Sequence, residues 1–182
     1  MSKRIYLAGG CFWGLQKFFD QFDGVIFTEV GYANGKTPEP KYEQLYRTGH
    51  AETVLVEYEE PAVPDLPDAK DAKEVLRTSG ITLSEILDYY FMVIDPVSLN
   101  RQGLDCGTQY RTGIYYTEAE QLPVIEQKMS EVAARYPIPL MVEVMPLENY
   151  YPAEDYHQKY LDNNPLGYCH IGRDMFKLQE KR

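Results

Sequence analysis

The spacing of apolar residues along the chain predicts strands and helices in alternation. A first strand at residues 3–8 ends at two glycines, and an amphipathic helix follows with apolar residues at helical spacing: Phe12, Leu15, Phe18, Phe19 and Phe22. Residues 25–33 are predicted as the second strand. Residues 51–59 are predicted as the third, because apolar and polar residues alternate there and one face collects Val54, Val56 and Tyr58.

The middle and the end of the chain add further elements. Thr82 and Glu85 have the spacing of a capping box, so a helix is predicted to run from there to Asp95-Pro96. The other predicted elements are a short helix at 42–47, a strand at 109–116, a helix at 121–136, a strand at 140–145 and a helix at 153–162. The order β-α-β-β-α-β with extra elements at its end predicts an α+β fold, a ferredoxin-like two-layer sandwich.

The length of 182 residues fits a single domain that spans 1–182. Residues 61–80 are rich in proline and then in lysine, aspartate and alanine, which predicts a surface insertion. Residues 163–182 have no clear periodicity and contain Pro165, Gly167 and Gly172, which predicts a mobile tail.

Composition and charge narrow the function classes. No apolar run approaches the ~20 residues that a membrane helix needs, and the N-terminus lacks the apolar stretch of a secretory signal. We therefore expect no membrane association and a cytoplasmic protein. The net charge of −10 argues against a nucleic-acid partner, because phosphate binding needs clustered lysine and arginine. About half of this excess negative charge lies in residues 57–74, as expected of a solvated acidic loop.

Cys11 is the first candidate for chemistry. The other cysteines, Cys106 and Cys169, make three in all, too few for a disulfide scaffold, and none has the C-x-x-C spacing of a zinc or redox site. Cys11 follows two glycines at a predicted strand-to-helix junction, where free N–H groups and the helix dipole favour a thiolate and lower the pKa. Position alone equally allows a buried structural cysteine. Phe12 and Trp13 favour a reactive one, because they put aromatic surface beside the sulfur.

Glu52 is the second candidate, since it shares the apolar face of the predicted strand 51–59. A carboxyl group there would be partly desolvated, which raises its pKa and keeps it protonated as a general acid. The alternative is that residue 52 lies at a fraying strand end and points to water.

Two further segments carry polar or reactive side chains. The segment GLDCGTQYRTG places Asp105, Gln109, Tyr110 and Arg111 just ahead of a strand, where they either line a site or form an ion-paired turn. Cys169 lies in the predicted mobile tail, as a resolving thiol would, although a cysteine with no role is the alternative.

Together these segments resemble the A-type methionine sulfoxide reductases. The resemblance rests on five blocks in order: GGCFWG at 9–14, GYANGKTPEPKY at 31–42, GHAE at 49–52, NRQGLDCGTQYRTGIYY at 100–116 and AEDYHQKYLDNNPLGYC at 153–169. It departs from the usual pattern at Asn34, where glycine is common, and in the length of 61–80. Cys106 is a further thiol that the family does not require. Because adjacent residues of an extended chain point opposite ways, we expect it to face away from the side of Asp105 as a buried apolar filler, and the alternative is that it relays oxidation between the other two thiols.

The resemblance implies a role for each matching residue. Cys11 would be the nucleophile, Phe12 and Trp13 the pocket for the substrate methyl group, and Glu52 the proton donor to the sulfoxide oxygen. Tyr42 and Tyr110 would hydrogen-bond that oxygen, Asp105 would organise the site, and Cys169 would be the resolving cysteine. His157, with Glu154 and Asp155, would support the site.

The implied reaction is reduction of the S epimer of methionine sulfoxide, protein-bound or free. Cys11 would become a sulfenic acid and then a Cys11–Cys169 disulfide, which thioredoxin would reduce. The resemblance implies a monomer with no bound cofactor or metal. Three alternatives remain at this point: a cysteine hydrolase that uses His50 or His157 as base, a thiol peroxidase, and a methionine-binding module without activity.

Overall fold

The computed structural model describes residues 1–61 and 80–179. The strands are β1 Lys3–Ala8, β2 Val25–Ala33, β3 Ala51–Tyr58, β4 Arg101–Gln102, β5 Asp105–Cys106, β6 Gly113–Tyr116, β7 Glu143–Pro146 and β8 Tyr150–Pro152. The α-helices are α1 Phe12–Phe19, α2 Leu45–Thr48, α3 Leu83–Val93, α4 Gln121–Ala133 and α5 Tyr160–Asn163. Short 3₁₀ helices lie at Tyr42–Gln44, Thr108–Tyr110, Asp155–His157 and Arg173–Lys177.

The main sheet of the described chain has the strand order β7-β6-β1-β3-β2-β8. Its inner strands β6, β1, β3 and β2 are antiparallel to one another, and with α1 and α3 they form the β-α-β-β-α-β unit. β7 extends one edge parallel to β6, and β8 extends the other edge antiparallel to β2. The predicted α+β, ferredoxin-like class is confirmed. The β4–β5 hairpin lies outside this sheet.

The helices cover one face of the sheet because the apolar positions of each strand alternate. Ile5 and Leu7 of β1 join the large core cluster under the helices, which also holds Phe18 of α1 and Tyr90 of α3. Tyr6 and the other alternate positions join a smaller cluster on the opposite face. The predicted capping box begins α3: the Thr82 hydroxyl accepts from the Glu85 N–H at 3.2 Å, and the Glu85 carboxylate accepts from the Thr82 N–H at 2.9 Å.

Several predicted elements are wrong in extent. The predicted helix at 153–162 is two pieces, because Lys159 has φ +53° and interrupts the helical path between the 3₁₀ turn and α5. The predicted strand 109–116 begins only at Gly113, after a 3₁₀ turn. The predicted strand 140–145 lies at 143–146, and the α-helix predicted to reach 136 ends at Ala133. β8 and the β4–β5 hairpin were not predicted.

The two predicted surface segments have different outcomes. The predicted insertion 61–80 lies outside the described residues except for its two end positions. The tail is described as far as residue 179 and packs on the domain. Ile171 is buried, and the Gln21 side chain binds the main chain of Met175 and Leu178 at 2.8 Å each. Mobility of the tail stays a prediction. No helix in the described part of the chain is long and apolar enough to cross a membrane.

Candidate active site

Cys11 lies where β1 turns into α1. Gly10 has φ +78°, a conformation that glycine adopts without strain, and this turn sets Cys11 as the residue that caps the helix. The Cys11 residue is 7% exposed, so only a small part of it reaches solvent. The nucleophile candidate is therefore held by main-chain geometry at the edge of the core.

Glu52 points from β3 toward the same helix start and is 1% exposed. Its Oε2 accepts from the Phe12 N–H at 3.1 Å, while its Oε1 is buried with no partner in the described structure. Burial raises the pKa of Glu52 to about 8, with the negative charge of Asp105 adding to the rise and the Phe12 N–H opposing it. The solvent-facing alternative for Glu52 does not hold.

The predicted lowering of the Cys11 pKa is wrong. Burial raises the pKa of the thiol well above its ordinary value, and negative charge on Glu52 and Asp105 acts in the same direction. The Trp13 backbone N–H lowers the pKa, but by less than burial raises it. The helix N-terminus lowers the pKa of Cys11 less than predicted, because the N–H of Phe12 is already bound to Glu52. Cys11 and Glu52 are therefore both protonated near neutral pH.

Two tyrosines lie next to Glu52. The hydroxyls of Tyr42 and Tyr110 lie within hydrogen-bond reach of each other. Burial raises the pKa of both phenols, and the charge of Glu52 raises both further. Both hydroxyls are thus protonated and lie close to the carboxyl group, although Tyr42 and Tyr110 come from separate 3₁₀ turns.

Aromatic rings form the wall of the site on the α1 side. Trp13 stacks on Tyr160 with ring centroids 3.7 Å apart, and Phe12 packs against Tyr32 and against His157. The Trp13 indole N–H donates to His157 Nδ1 at 3.0 Å. Because an indole only donates, that nitrogen carries no proton, and burial lowers the pKa of His157, which keeps the ring neutral.

Cys169 lies over the first turn of α1. A Cβ placed on Gly14 would be 2.5 Å from the Cys169 Sγ, so the helix accepts this sulfur only because residue 14 is glycine. Cys169 is half-buried and both it and Cys11 are free thiols. The charge of a Cys169 thiolate raises the pKa of Cys11, as expected of two sulfurs that are close in space.

A family model described as peptide methionine sulfoxide reductase matches residues 3–65 and 75–182. The chain belongs to the peptide methionine sulfoxide reductase family. The resemblance predicted from the five blocks is confirmed, and so is the prediction of an enzyme of this family. The stretch that the family model leaves unmatched, 66–74, falls inside the segment 61–80.

Individual relatives agree over nearly the whole chain. Peptide methionine sulfoxide reductase MsrA of Lachnoclostridium phytofermentans is 47% identical over 178 residues, which cover 97% of this chain and 96% of that protein. Reduced Mxr1 from Saccharomyces cerevisiae superposes with a TM-score of 0.78 at 33% identity, covering 94% of this chain and 91% of the yeast chain. Mxr1 in complex with Trx2 shares the fold at 24% identity, with a TM-score of 0.56 and coverage of 87% and 84%.

The residues that the family blocks single out come together only in part. Cys11, Phe12, Trp13 and Glu52 meet at the start of α1, and Tyr42, Tyr110, Asp105 and Cys169 surround them. Arg111 does not join them, because it ion-pairs with Glu143 at 3.0 Å and donates to the carbonyl oxygen of Asn34. His50 does not join them either, because its Nδ1 forms a hydrogen bond with the Thr48 hydroxyl at 2.9 Å.

Two residues beside Cys169 were missed by the sequence analysis as members of the site. Tyr168 donates its hydroxyl hydrogen bond to Asp105 Oδ2 at 3.0 Å, and the His170 side chain is buried beside Gly10. Both flank Cys169 directly, which was the available signal. Within residues 1–61 and 80–179, no group of three or more histidines, cysteines and carboxylates is arranged to hold a metal ion.

Cys106 differs from its predicted surroundings in one respect. It pairs with Arg101 across the β4–β5 hairpin. The prediction that it is a buried apolar filler is wrong, because Cys106 is exposed. A two-residue strand outside the main sheet has no second layer to cover it.

Proposed function

We propose that the chain reduces the S epimer of methionine sulfoxide to methionine, with Cys11 as nucleophile and Glu52 as proton donor. The observation that carries this proposal is the buried Glu52 Oε1, which has no hydrogen-bond partner in the described structure. A buried polar atom without a partner is costly unless a ligand completes it. A sulfoxide oxygen is a hydrogen-bond acceptor and fits a protonated carboxyl group.

One acid, Glu52, is enough to supply the proton that the reaction needs. The Cys11 sulfur attacks the sulfoxide sulfur while Glu52 protonates the oxygen, and the hydroxyls of Tyr42 and Tyr110 donate to the same oxygen. The oxygen moves to Cys11 as a sulfenic acid and methionine leaves. The thiol proton of Cys11 restores Glu52, so no net proton is consumed. Burial raises the pKa of Glu52 to about 8, which keeps this carboxyl group protonated and neutral at neutral pH.

The substrate methyl group would lie against Phe12 and Trp13. Trp13 is fixed from two sides, by the stack on Tyr160 and by the hydrogen bond to neutral His157. A rigid apolar wall distinguishes a methyl group from the charged or peptide parts of a substrate. Asp105 would organise the site from the opposite side, and free or protein-bound methionine sulfoxide would both present the same methyl and oxygen groups.

Recycling would follow from the second thiol. Cys169 would attack the Cys11 sulfenic acid and form a disulfide with loss of water, and thioredoxin would reduce it. Mxr1, a protein of similar fold, has been solved in complex with Trx2. We propose that the enzyme works as a monomer in the cytoplasm and needs no bound metal or organic cofactor.

A cysteine hydrolase is less well supported by the same residues. Such an enzyme needs a histidine base hydrogen-bonded to its thiol. In the described structure His50 and His157 bind Thr48 and Trp13 instead, and the pKa of Cys11 responds to carboxylates and to Cys169.

The test is an assay with separated epimers. Peptides carrying S- or R-methionine sulfoxide are supplied with dithiothreitol, and methionine is followed by chromatography. Only the S epimer should be converted. Glu52→Ala should slow the chemical step by ~10²–10⁴, and Glu52→Gln by less, since an amide still donates a hydrogen bond.

Glu57→Ala is the matched control for that assay. It removes a carboxylate from the same strand at a position that ion-pairs with Arg4 near the surface, and it should leave the rate unchanged. Equal conversion of both epimers, or a wild-type rate in Glu52→Ala, would contradict the proposal.

A further inference from the structure

The two residues that flank Cys169 both reach one carboxylate. Tyr168 donates its hydroxyl hydrogen bond to Asp105 Oδ2 at 3.0 Å. On the other side of the cysteine, His170 Nδ1 lies 3.9 Å from the same oxygen. The Asp105 side chain is 16% exposed and Tyr168 is 44% exposed, so the hydrogen bond lies at the protein surface.

His170 adds packing to this arrangement. Its side chain is 5% exposed, and its ring lies so close to Gly10 that a Cβ there would be 2.9 Å from Cε1. Its Cβ also lies against Gly103, on the turn that leads to Asp105. Its ring nitrogens lie near the Gly9 backbone and the Asp105 carboxylate, and these contacts hold the ring in place together with its close packing.

Between these two anchors, Cys169 faces α1. Its sulfur lies over Gly14, one helical turn after Cys11, and accepts from the Ile171 N–H at 3.3 Å. The side chains of Tyr168 and His170 point to the Asp105 side, and that of Cys169 points to the helix. The tail thus presents the second thiol next to the first while its neighbours are bound elsewhere.

We propose that Asp105, by binding Tyr168 and holding His170, is the positioning residue that keeps Cys169 ready to attack the Cys11 sulfenic acid. This proposal rests on the proposed function. It gives Asp105 a second task beyond the reduction step, and it makes Tyr168 and His170 positioning residues for the disulfide-forming step. We name the trio Asp105, Tyr168 and His170 the clasp.

The step that the clasp serves is balanced as follows. The Cys169 sulfur forms a bond to the Cys11 sulfur, and the S–O bond of the sulfenic acid breaks. The hydroxyl group leaves as water with the proton of the Cys169 thiol. Cys169 is oxidised and the Cys11 sulfur is reduced, so no outside oxidant is needed. The rate of this step depends on how often the two sulfurs are in reach, which is what the clasp sets.

Tyr168→Phe tests the proposal with one atom removed from an exposed ring. Fully reduced enzyme is mixed with one equivalent of S-methionine sulfoxide peptide and no reductant, and samples are quenched over time. Methionine release should keep its wild-type rate. Formation of the Cys11–Cys169 disulfide should slow by roughly fivefold, as expected for loss of one hydrogen bond, and dimedone should trap the sulfenic acid. His170→Ala should slow the same step.

Two controls separate positioning from general structure. Tyr136→Phe makes the same change in the turn after α4 and should alter neither rate. In an Asp105→Ala background, Tyr168→Phe should have little further effect on disulfide formation, because the partner of its hydroxyl is already gone. An undiminished effect there would overturn the assignment to Asp105.

The remaining outcomes also decide. Wild-type disulfide formation in both Tyr168→Phe and His170→Ala would overturn the clasp. So would an equal slowing of methionine release, which would assign Tyr168 to the reduction step. If wild-type enzyme releases methionine but forms no Cys11–Cys169 disulfide, the resolving role in the proposed function has failed. If it releases no methionine, the proposed activity itself has failed.

Discussion

Cys11 and Cys169 are both free thiols at the start of α1, and they are held there by different means. Cys11 is fixed by the main chain of a strand, a turn and a helix, and its partner Glu52 comes from the strand next to β1. Cys169 lies in a segment, 164–179, in which the structure describes no α-helix or strand, and it is held by side-chain contacts of its neighbours. Regular elements define the first region, whereas a few side-chain contacts hold the second.

This difference suits the two tasks. The reducing region, Cys11 with Glu52, must keep a carboxyl group dry and protonated, which only a packed core can do. The recycling region, Tyr168 to His170, must bring a second thiol to the first and later expose the disulfide to a protein reductant. Substitutions in the first region should therefore abolish chemistry, while those in the second should leave the first turnover and damage recycling.

The largest effect is expected for Cys11→Ser. A serine hydroxyl cannot accept the sulfoxide oxygen as a sulfenic acid, so even a single turnover without reductant should be lost. Methionine release from one equivalent of peptide, measured by chromatography, checks this. Cys106→Ser serves as the thiol control. Single turnover near the wild-type rate would remove Cys11 from the mechanism.

Cys169→Ser should separate the two regions. The first turnover should survive because the reducing region is intact, and turnover driven by thioredoxin should stop because no disulfide forms. Peptide mass spectrometry of oxidised wild type should show a Cys11–Cys169 bridge. Full thioredoxin-driven turnover by the variant would contradict the assignment and point to Cys106 as the second thiol.

Glu52→Gln should show how much the burial of Glu52 lowers the stability of the folded protein. Between pH 4.5, the ordinary pKa, and about 8, the folded protein keeps the Glu52 proton while the unfolded chain has lost it. Folding then takes up a proton, so wild-type stability falls relative to the variant as pH rises through this window. The variant should be more stable by on the order of 3 kcal/mol at pH 7, since one pKa unit corresponds to about 1.4 kcal/mol.

Urea unfolding at several pH values measures that difference. Glu57→Gln is the control with the opposite sign, because the Ser2 hydroxyl and Arg4 lower the pKa of Glu57. Its stabilising contribution is present above pH 4.5 and is lost as pH falls. A Glu52→Gln curve parallel to wild type from pH 5 to 8 would contradict a protonated Glu52.

The same contrast explains what could be predicted from the sequence. Cys11 and Glu52 were identified because both belong to periodic elements, a helix start and the inward face of a strand. Their surroundings were predicted less well: the pKa of Cys11 rises where a fall was expected, because the pattern shows a helix N-terminus but not how deeply it is buried or which N–H is already bound.

The recycling region was predicted only through Cys169. The bond from Tyr168 to Asp105 joins residues 63 positions apart in segments without periodicity, so no local pattern indicates it. The division of the last helix has a similar origin. Lys159 adopts φ +53° because its amide binds the Gln16 side chain and its ammonium group binds Asp20, contacts that depend on tertiary structure.

The smallest effect is expected for Cys106→Ser, which tests whether the recycling region needs a third thiol. Cys106 is next to the clasp residue Asp105 in sequence, yet it is exposed on the β4–β5 hairpin, where it pairs with Arg101. A surface substitution of similar size usually changes free energies by up to about 0.5 kcal/mol, so thioredoxin-coupled turnover should stay within about twofold of wild type. Disulfide mapping should show an unchanged Cys11–Cys169 bridge.

The contrary result would be a Cys11–Cys106 species trapped in Cys169→Ser together with slowed recycling in Cys106→Ser. That pair of results would mean that the β4–β5 hairpin changes conformation during the catalytic cycle and that Cys106 relays the oxidation from Cys11 to Cys169.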